Sequence, residues 1–201
     1  IAGVWAGEEC DELAVMRCLE NACRDKVEWC GRHDITITEE QWPSHGLPYE
    51  VITDKGREFC GGRMQELCRR EFCGARIQEP CRRYGVELIS QAPFRPDRKG
   101  LVEQAFHLLQ ERYKPLLRGK GVIEPDAQER WAVDYRGQAV LTLEDFTQVL
   151  IHCIVYLNSG RTLSSGRTPA QLWAESTPQL LDVDAKELRL MALPRTTAKL
   201  T

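Results

Sequence analysis

The chain has 201 residues, of which 42% are hydrophobic and 28% are charged, a composition typical of a globular protein. No apolar run approaches the length of a membrane span and no signal peptide is visible, so we predict no membrane partner. The net charge of −3 excludes the strongly basic class of free-standing nucleic-acid-binding domains.

Nine cysteines are an odd number, and together with the missing secretion signal they predict reduced thiols and a cytoplasmic location. Cys60, Cys68, Cys73 and Cys81 are separated by 8, 5 and 8 residues. Zinc sites typically place paired cysteines two to four residues apart, so we predict no zinc site from them.

The first half of the chain predicts an α/β arrangement. Residues 1–5 are predicted as a strand, and residues 8–29 as a helix whose apolar side chains cover a wide arc and which Gly31 ends. Residues 31–48 resemble a loop. A short apolar, β-branched run at 49–53 then predicts a buried strand, and a second strand is predicted near 86–90.

The second half is predominantly helical. A helix is predicted from about Gly100 to Leu117, with an apolar arc that should pack on the sheet; the arc comprises Leu101, Val102, Ala105, Phe106, Leu108, Leu109 and Tyr113. Residues 118–140 are rich in turns. Thr142 and Asp145 form a box-like helix start, and that helix should run to about Leu157. From Thr177 the sequence resembles a linker, with a short helix at 185–191.

Two acids occupy positions at which active sites are built. Asp54 follows the strand at 49–53 and precedes the turn residue Gly56, where the loop-facing ends of strands in open α/β sheets carry ligands. Glu103 lies in the first turns of the helix after Gly100, where the helix dipole also favours an acid for structural reasons alone. Taken singly, each acid is more typical of a structural role.

Taken together, the segments PYEVITDKGREF (48–59) and PFRPDRKGLVEQAF (93–106) resemble the DDE transposases of the retroviral-integrase superfamily, and in particular Mu-like and TnsB-like bacterial transposases. The resemblance implies an α/β, ribonuclease H-like integrase-core fold with a helical C-terminal extension. It also implies that Asp54 and Glu103 match the second Asp and the Glu of three acids that hold two Mg²⁺ or Mn²⁺ ions. In that family the ions activate water or a DNA 3′-hydroxyl for attack on a phosphodiester.

The same resemblance extends to the end of the chain, where Y-x-N (156–158) and TPAQLW (168–173) are similar to the end of many integrase cores. It implies that DNA and other transposase subunits are partners, that the assembly on DNA is oligomeric, and that the protein is bacterial and associated with the nucleoid. The residues that it implies for DNA binding are Arg98, Lys99, His107, Arg161 and Arg167. Solvated loop arginines remain an equal alternative for Arg161 and Arg167.

The spacing of the two acids departs from the family, and a tandem repeat accounts for it. Forty-eight residues separate Asp54 from Glu103, and residues 57–69 and 70–82 are identical at ten of thirteen positions. Without one copy, 35 residues would remain, which is the usual family spacing. Because Pro80 opposes a helix interior and the first copy has Leu67 there, we expect the first copy to form the helix after Asp54, with a break near 69–74.

The resemblance implies a core at 1–175 and a linker at 176–201 that leads to a β-barrel domain absent from this chain. The opening IAG resembles the third strand of the family, so we expect the first catalytic Asp to be missing. The leading hypothesis is therefore a transposase core that cleaves and joins DNA strands, although whether this chain is itself an enzyme stays open. The alternatives are an inactive remnant that only binds DNA or subunits, and another nuclease of the ribonuclease H-like fold.

Overall fold

The structure, a computed structural model, describes residues 1–8, 11–53, 75–90, 100–122, 134–176 and 180–193. Within them, the helices are α1 (Glu12–Cys23), α2 (Lys26–Gly31), α3 (Ala75–Tyr84), α4 (Gly100–Tyr113), α5 (Leu143–Val155), α6 (Pro169–Ser176) and α7 (Ala185–Ala192). The strands are β1 (Leu47–Pro48), β2 (Glu50–Thr53), β3 (Glu87–Ser90) and β4 (Leu180–Leu181). No helix of the described ranges is both long enough and apolar enough to cross a membrane.

These elements fall into two compact units. The strand unit takes its residues from 2–25, 45–95 and 178–201, and it contains α1, α3, α7 and all four strands. The helical unit takes its residues from position 1, 26–44 and 96–177, and it contains α2, α4, α5 and α6.

The strand unit is built on a parallel pair formed by β2 and β3. Glu50 lies opposite Glu87 and Thr53 opposite Ser90, and the Glu87 N–H donates a 2.7 Å hydrogen bond to the Tyr49 carbonyl. Because parallel strands need a crossover, the chain between them passes through α3. The two predicted strands and the α/β fold class are therefore confirmed.

The core of this unit lies where α1, α3 and α7 pack against one another. Its buried residues come from these helices and from the segments beside them, and they are Met16, Leu47, Ile77, Cys81, Val86, Val183 and Leu188. The short helix predicted at 185–191 is confirmed as α7, whose Leu188 is fully buried. The division of the chain at residue 175 stays a prediction.

Strand β2 is more exposed than predicted. Only Thr53 is buried, Val51 is half-buried, and 58% of Ile52 is exposed. Successive side chains of a strand point to opposite faces, so Val51 packs on the helical core while Glu50 and Ile52 lie on the other face. The prediction of a buried strand is therefore correct for one face of β2 and wrong for the other.

The N-terminal predictions also need two corrections. Residues 1–7 form no strand, and instead the Val4 N–H is bonded to the Asn21 side-chain oxygen at 3.0 Å. The helix predicted over 8–29 is two helices, because Arg24 adopts an extended conformation (φ −76°, ψ 151°) and its N–H bonds back to the Asn21 carbonyl. Gly31 ends α2 as predicted.

The repeat gives the clearest disagreement with the sequence prediction. Residues 75–82 of the second copy lie in α3, with Pro80 in the helix and fully buried. We expected Pro80 to keep this copy out of a helix. Burial of Ile77 and Cys81 against α1 and α7 offsets the hydrogen bond that proline cannot donate. The first copy and the predicted break at 69–74 lie outside the described residues.

The helical unit is held together by the packing of α4 on α5. The rings of Tyr113 and Phe146 meet edge to face, with centroids 5.5 Å apart. The predicted start of α5 is confirmed, because the Asp145 N–H donates to the Thr142 hydroxyl at 3.1 Å and the Thr142 N–H donates to the Asp145 carboxylate at 2.9 Å. After Val155 the helix widens into a π turn over Tyr156–Gly160.

Helix α4 is confirmed, but the burial predicted for its apolar arc is only partly correct. Leu109 is buried, whereas Val102 and Phe106 are each about 60% exposed. The C-terminal half of α4 carries the contact with α5, and no element of the described part covers Val102 and Phe106.

Candidate active site

Glu103 lies in the first turn of α4, where its side chain is exposed. Among the described residues, Glu103 forms no ion pair, in contrast to Glu111 two turns further along the helix. The free N–H groups at a helix start stabilise a nearby negative charge. The Glu103 carboxylate is therefore accessible to a ligand at the start of α4.

His107 was predicted to contact DNA from the same helix face as Glu103. Its ring is 70% exposed, and Nδ1 lies 3.5 Å from the Glu111 carboxylate, one turn further along. The imidazole is therefore accessible to a ligand, although its nearest described partner is an acid.

Three predicted site residues lie outside the described residues: Asp54, Arg98 and Lys99. Thr53 ends β2, so the described chain reaches the carboxyl end of the parallel pair immediately before Asp54. The roles of these three residues stay predictions.

The donor chemistry fits a hard divalent cation. Carboxylate oxygens are the ligands that Mg²⁺ and Mn²⁺ prefer, and Glu103 offers one without a competing ion pair in the described part of the chain. The described ranges alone contain no group of three or more His, Cys, Asp or Glu side chains able to hold an ion. A metal site at Glu103 therefore needs further ligands, of which Asp54 is the predicted one.

The two loop arginines have different surroundings. Arg167 is exposed and forms an ion pair with Glu175 on α6. Arg161 follows the π turn, and its N–H donates a 2.8 Å hydrogen bond to the Tyr156 carbonyl. Because the charge of Arg167 is already compensated, Arg161 is the better placed of the two to bind a phosphate.

One feature beside Arg161 was not predicted from the sequence. The guanidinium of Arg112, in the last turn of α4, lies 3.8 Å from the centre of the Tyr156 ring. The sequence positions are 44 residues apart, and nothing in a local pattern indicates that they meet. The only sequence signal is the Y-x-N motif, which singles out Tyr156 but does not indicate that Arg112 contacts it.

The chain is similar to known transposition proteins. The family model described as the TnsB C-terminal domain matches residues 1–71. The transposon Tn7 transposition protein TnsB of Escherichia coli is 29% identical to this chain over 212 residues, which cover 97% of the chain. The chain resembles TnsB-like transposases. The predicted resemblance is thereby confirmed, and it spans 28% of the length of TnsB.

The chain is also similar to a solved structure, the catalytic core domain of BIV integrase. The match has a TM-score of 0.43 and 20% sequence identity, and it covers 85% of this chain and 76% of that one.

Proposed function

We propose that this chain is part of the catalytic core of a DNA transposase, which in the whole protein cleaves donor DNA and joins its 3′ ends to target DNA. The similarity to the Tn7 transposition protein TnsB over 97% of the chain is the observation that supports it. The chain spans 28% of the length of TnsB. We therefore also propose, for the whole protein, that it transfers DNA strands, assembles as an oligomer on DNA and is cytoplasmic.

Within this function, Asp54 and Glu103 would hold Mg²⁺ or Mn²⁺. Such ions supply charge neutralisation at a phosphodiester under attack. The exposed position of Glu103 in the first turn of α4 supports its part of this role. Binding by these two acids without a third should be weak.

The experiment is a titration of Mn²⁺ into the purified chain, followed by the loss of the free-ion electron paramagnetic resonance signal. We expect weak binding that is lost in Glu103→Gln and in Asp54→Asn. Glu111→Gln is the matched control, because it removes another exposed carboxylate from the same helix. Binding that persists in Glu103→Gln, or that falls equally in Glu111→Gln, would contradict the proposed metal site.

A second candidate is a remnant that binds DNA or transposase subunits but catalyses nothing. The 13-residue duplication between the two acids favours it, because an insertion between two ligands of one site disturbs their geometry. DNA binding without Mn²⁺ binding would support this candidate over the first.

A further inference from the structure

We propose that Arg112 and Arg161, arranged around Tyr156, form a contact site for the phosphodiester backbone of DNA. The inference rests on the proposed function, and it concerns residues other than Asp54 and Glu103. It is carried by the stacking of Arg112 on Tyr156, at the turn whose backbone hydrogen bond joins Tyr156 to Arg161.

The site begins with the π turn that follows α5. Its extra residue closes an i to i+5 hydrogen bond, from the Arg161 N–H to the Tyr156 carbonyl at 2.8 Å. Such turns recur at functional sites, because they reorient side chains at the end of a helix. Here the turn fixes the backbone of Arg161 beside Tyr156.

Gly160 makes room for the tyrosine ring. A Cβ atom at this position would lie 2.8 Å from Cδ2 of Tyr156, which is closer than real contacts allow. The ring of Tyr156 therefore lies against the backbone of its own turn, and 40% of the residue remains exposed.

Arg112 then covers the ring of Tyr156. Its guanidinium carbon lies 3.8 Å from the ring centre, in the range of a stacked cation–π contact. Arg112 is exposed. Burial raises the pKa of Cys153, and the nearby Arg112 guanidinium offsets part of that rise. Stacking orders the side chain while its N–H groups stay available, and a guanidinium in this state suits bidentate phosphate binding.

The neighbouring charges favour an anion. No described ion pair engages Arg112 or Arg161, whereas Arg167 is paired with Glu175. Glu111 precedes Arg112 in the helix, but adjacent helical residues do not face each other and Glu111 pairs with His107. One guanidinium stacked on an aromatic ring, with a second arginine held by its backbone at the same tyrosine, matches the contacts that proteins make with a nucleic-acid backbone.

The test measures the affinity of the purified chain for a fluorescein-labelled DNA duplex by anisotropy, between about 50 mM and 200 mM salt. A variant that removes one phosphate-binding arginine should have a salt slope, d log K/d log[salt], that is smaller by about one, and should bind every DNA sequence about three- to tenfold more weakly. We expect a smaller salt slope and weaker binding for Arg112→Gln and for Arg161→Gln. In the double variant the effects of the two substitutions should add.

Arg83→Gln is the matched control. Arg83 also lies near a tyrosine, Tyr84, but its charge is already paired with Glu187. This variant loses the same formal charge, so a general effect of net charge would appear in it equally. We expect its salt slope to equal that of the wild type.

Tyr156 acts here as a positioning residue, and its variants separate positioning from folding. Tyr156→Phe keeps the ring and should keep the DNA affinity, whereas Tyr156→Leu should weaken binding as Arg112→Gln does. Unchanged slopes in Arg112→Gln and Arg161→Gln, with a wild type that binds DNA, would overturn this inference and leave the proposed function standing. A wild type without salt-dependent DNA binding would overturn both.

Discussion

Asp145 and Glu103 are both exposed acids in the first turn of a helix, yet they have different neighbours. The Asp145 carboxylate accepts hydrogen bonds from the N–H and the hydroxyl of Thr142, and so closes the start of α5. Glu103 forms no such bond with a described residue. Asp145 therefore stabilises the start of α5, whereas the carboxylate oxygens of Glu103 remain available to a ligand.

This difference predicts different effects on stability. Asp145→Ala should lower the melting temperature by a few degrees, because it removes the reciprocal bonds of the helix start. Glu103→Gln should change the free energy of unfolding by less than about 0.5 kcal/mol, as exposed substitutions usually do. Thermal unfolding followed by circular dichroism measures both. A large destabilisation by Glu103→Gln would show that Glu103 has a structural role.

The hydrogen bonds at Thr142 also predict a pH dependence. The side-chain hydrogen bond from Thr142, and then its backbone N–H, lower the pKa of Asp145. A lowered pKa in the folded state gives stability that is present above the ordinary value of about 4 and is lost as the pH falls through the folded-state pKa. Thr142→Ala should therefore lower the melting temperature near neutral pH more than it does in acid. A cost that does not depend on pH would contradict this account.

Sequence reasoning succeeded for residues whose neighbours are close along the chain. The box at Thr142 and Asp145, the turn at Gly31 and the start of α4 all depend on contacts within a few positions. It missed the pair of Arg112 and Tyr156, because only the folded helical unit brings these two side chains together.

At the scale of elements, α3 shows how packing overrides local propensity. A proline in a helix interior costs about 3 kcal/mol, which was the reason to predict that the second repeat copy stays outside the helix. Burial of a large apolar side chain such as Ile77 contributes about 1.5–3 kcal/mol, which is of the same order, and Pro80 and Cys81 are also buried. Propensity is visible in one segment of sequence, whereas burial depends on α1 and α7, which are distant in the chain.

The duplication itself predicts the outcome of two matched deletions. Deletion of residues 57–69 leaves every residue of α3 in place, so the protein should fold with an unchanged melting temperature. Deletion of residues 70–82 brings the first copy next to Arg83. It replaces Ala75 by Gly62 at the first residue of α3, Ile77 by Met64 and Pro80 by Leu67, and the last two are changes between apolar residues.

Both deletions restore a spacing of 35 residues between the acids. We expect the second to fold as well, with a higher melting temperature because it removes a proline from the helix interior. Differential scanning calorimetry of the two variants beside the wild type is the measurement. An unfolded product from deletion of 70–82 would show that the first copy cannot form this helix.

At the scale of the whole molecule, the α/β class followed from the two strands and the helices around them, and the structure confirms it. The exposure of Ile52, Val102 and Phe106 did not follow. Periodicity shows which residues share a face of a strand or helix, and it does not show whether another element covers that face.

The acids available in the chain predict its behaviour on DNA. The resemblance implies three acids that hold the metal ions, and we predict that Asp54 and Glu103 match two of them. The purified 201-residue chain should therefore bind DNA without joining strands in the presence of Mg²⁺ or Mn²⁺. A gel assay with labelled transposon-end DNA tests this. Strand transfer that Asp54→Asn abolishes would show that a third ligand is present in these residues.

We propose that Asp54 and Glu103 bind the same metal ions, and backbone cleavage directed by iron is the most direct test. Fe²⁺ in place of Mg²⁺, with ascorbate and peroxide, generates hydroxyl radicals that cut the chain close to the ion. We expect two cuts in the wild type, near residues 54 and 103. Both cuts should disappear in Asp54→Asn and in Glu103→Gln, and both should persist in Glu111→Gln. A cut at one acid that survives loss of the other, or cuts confined to other segments, would contradict it.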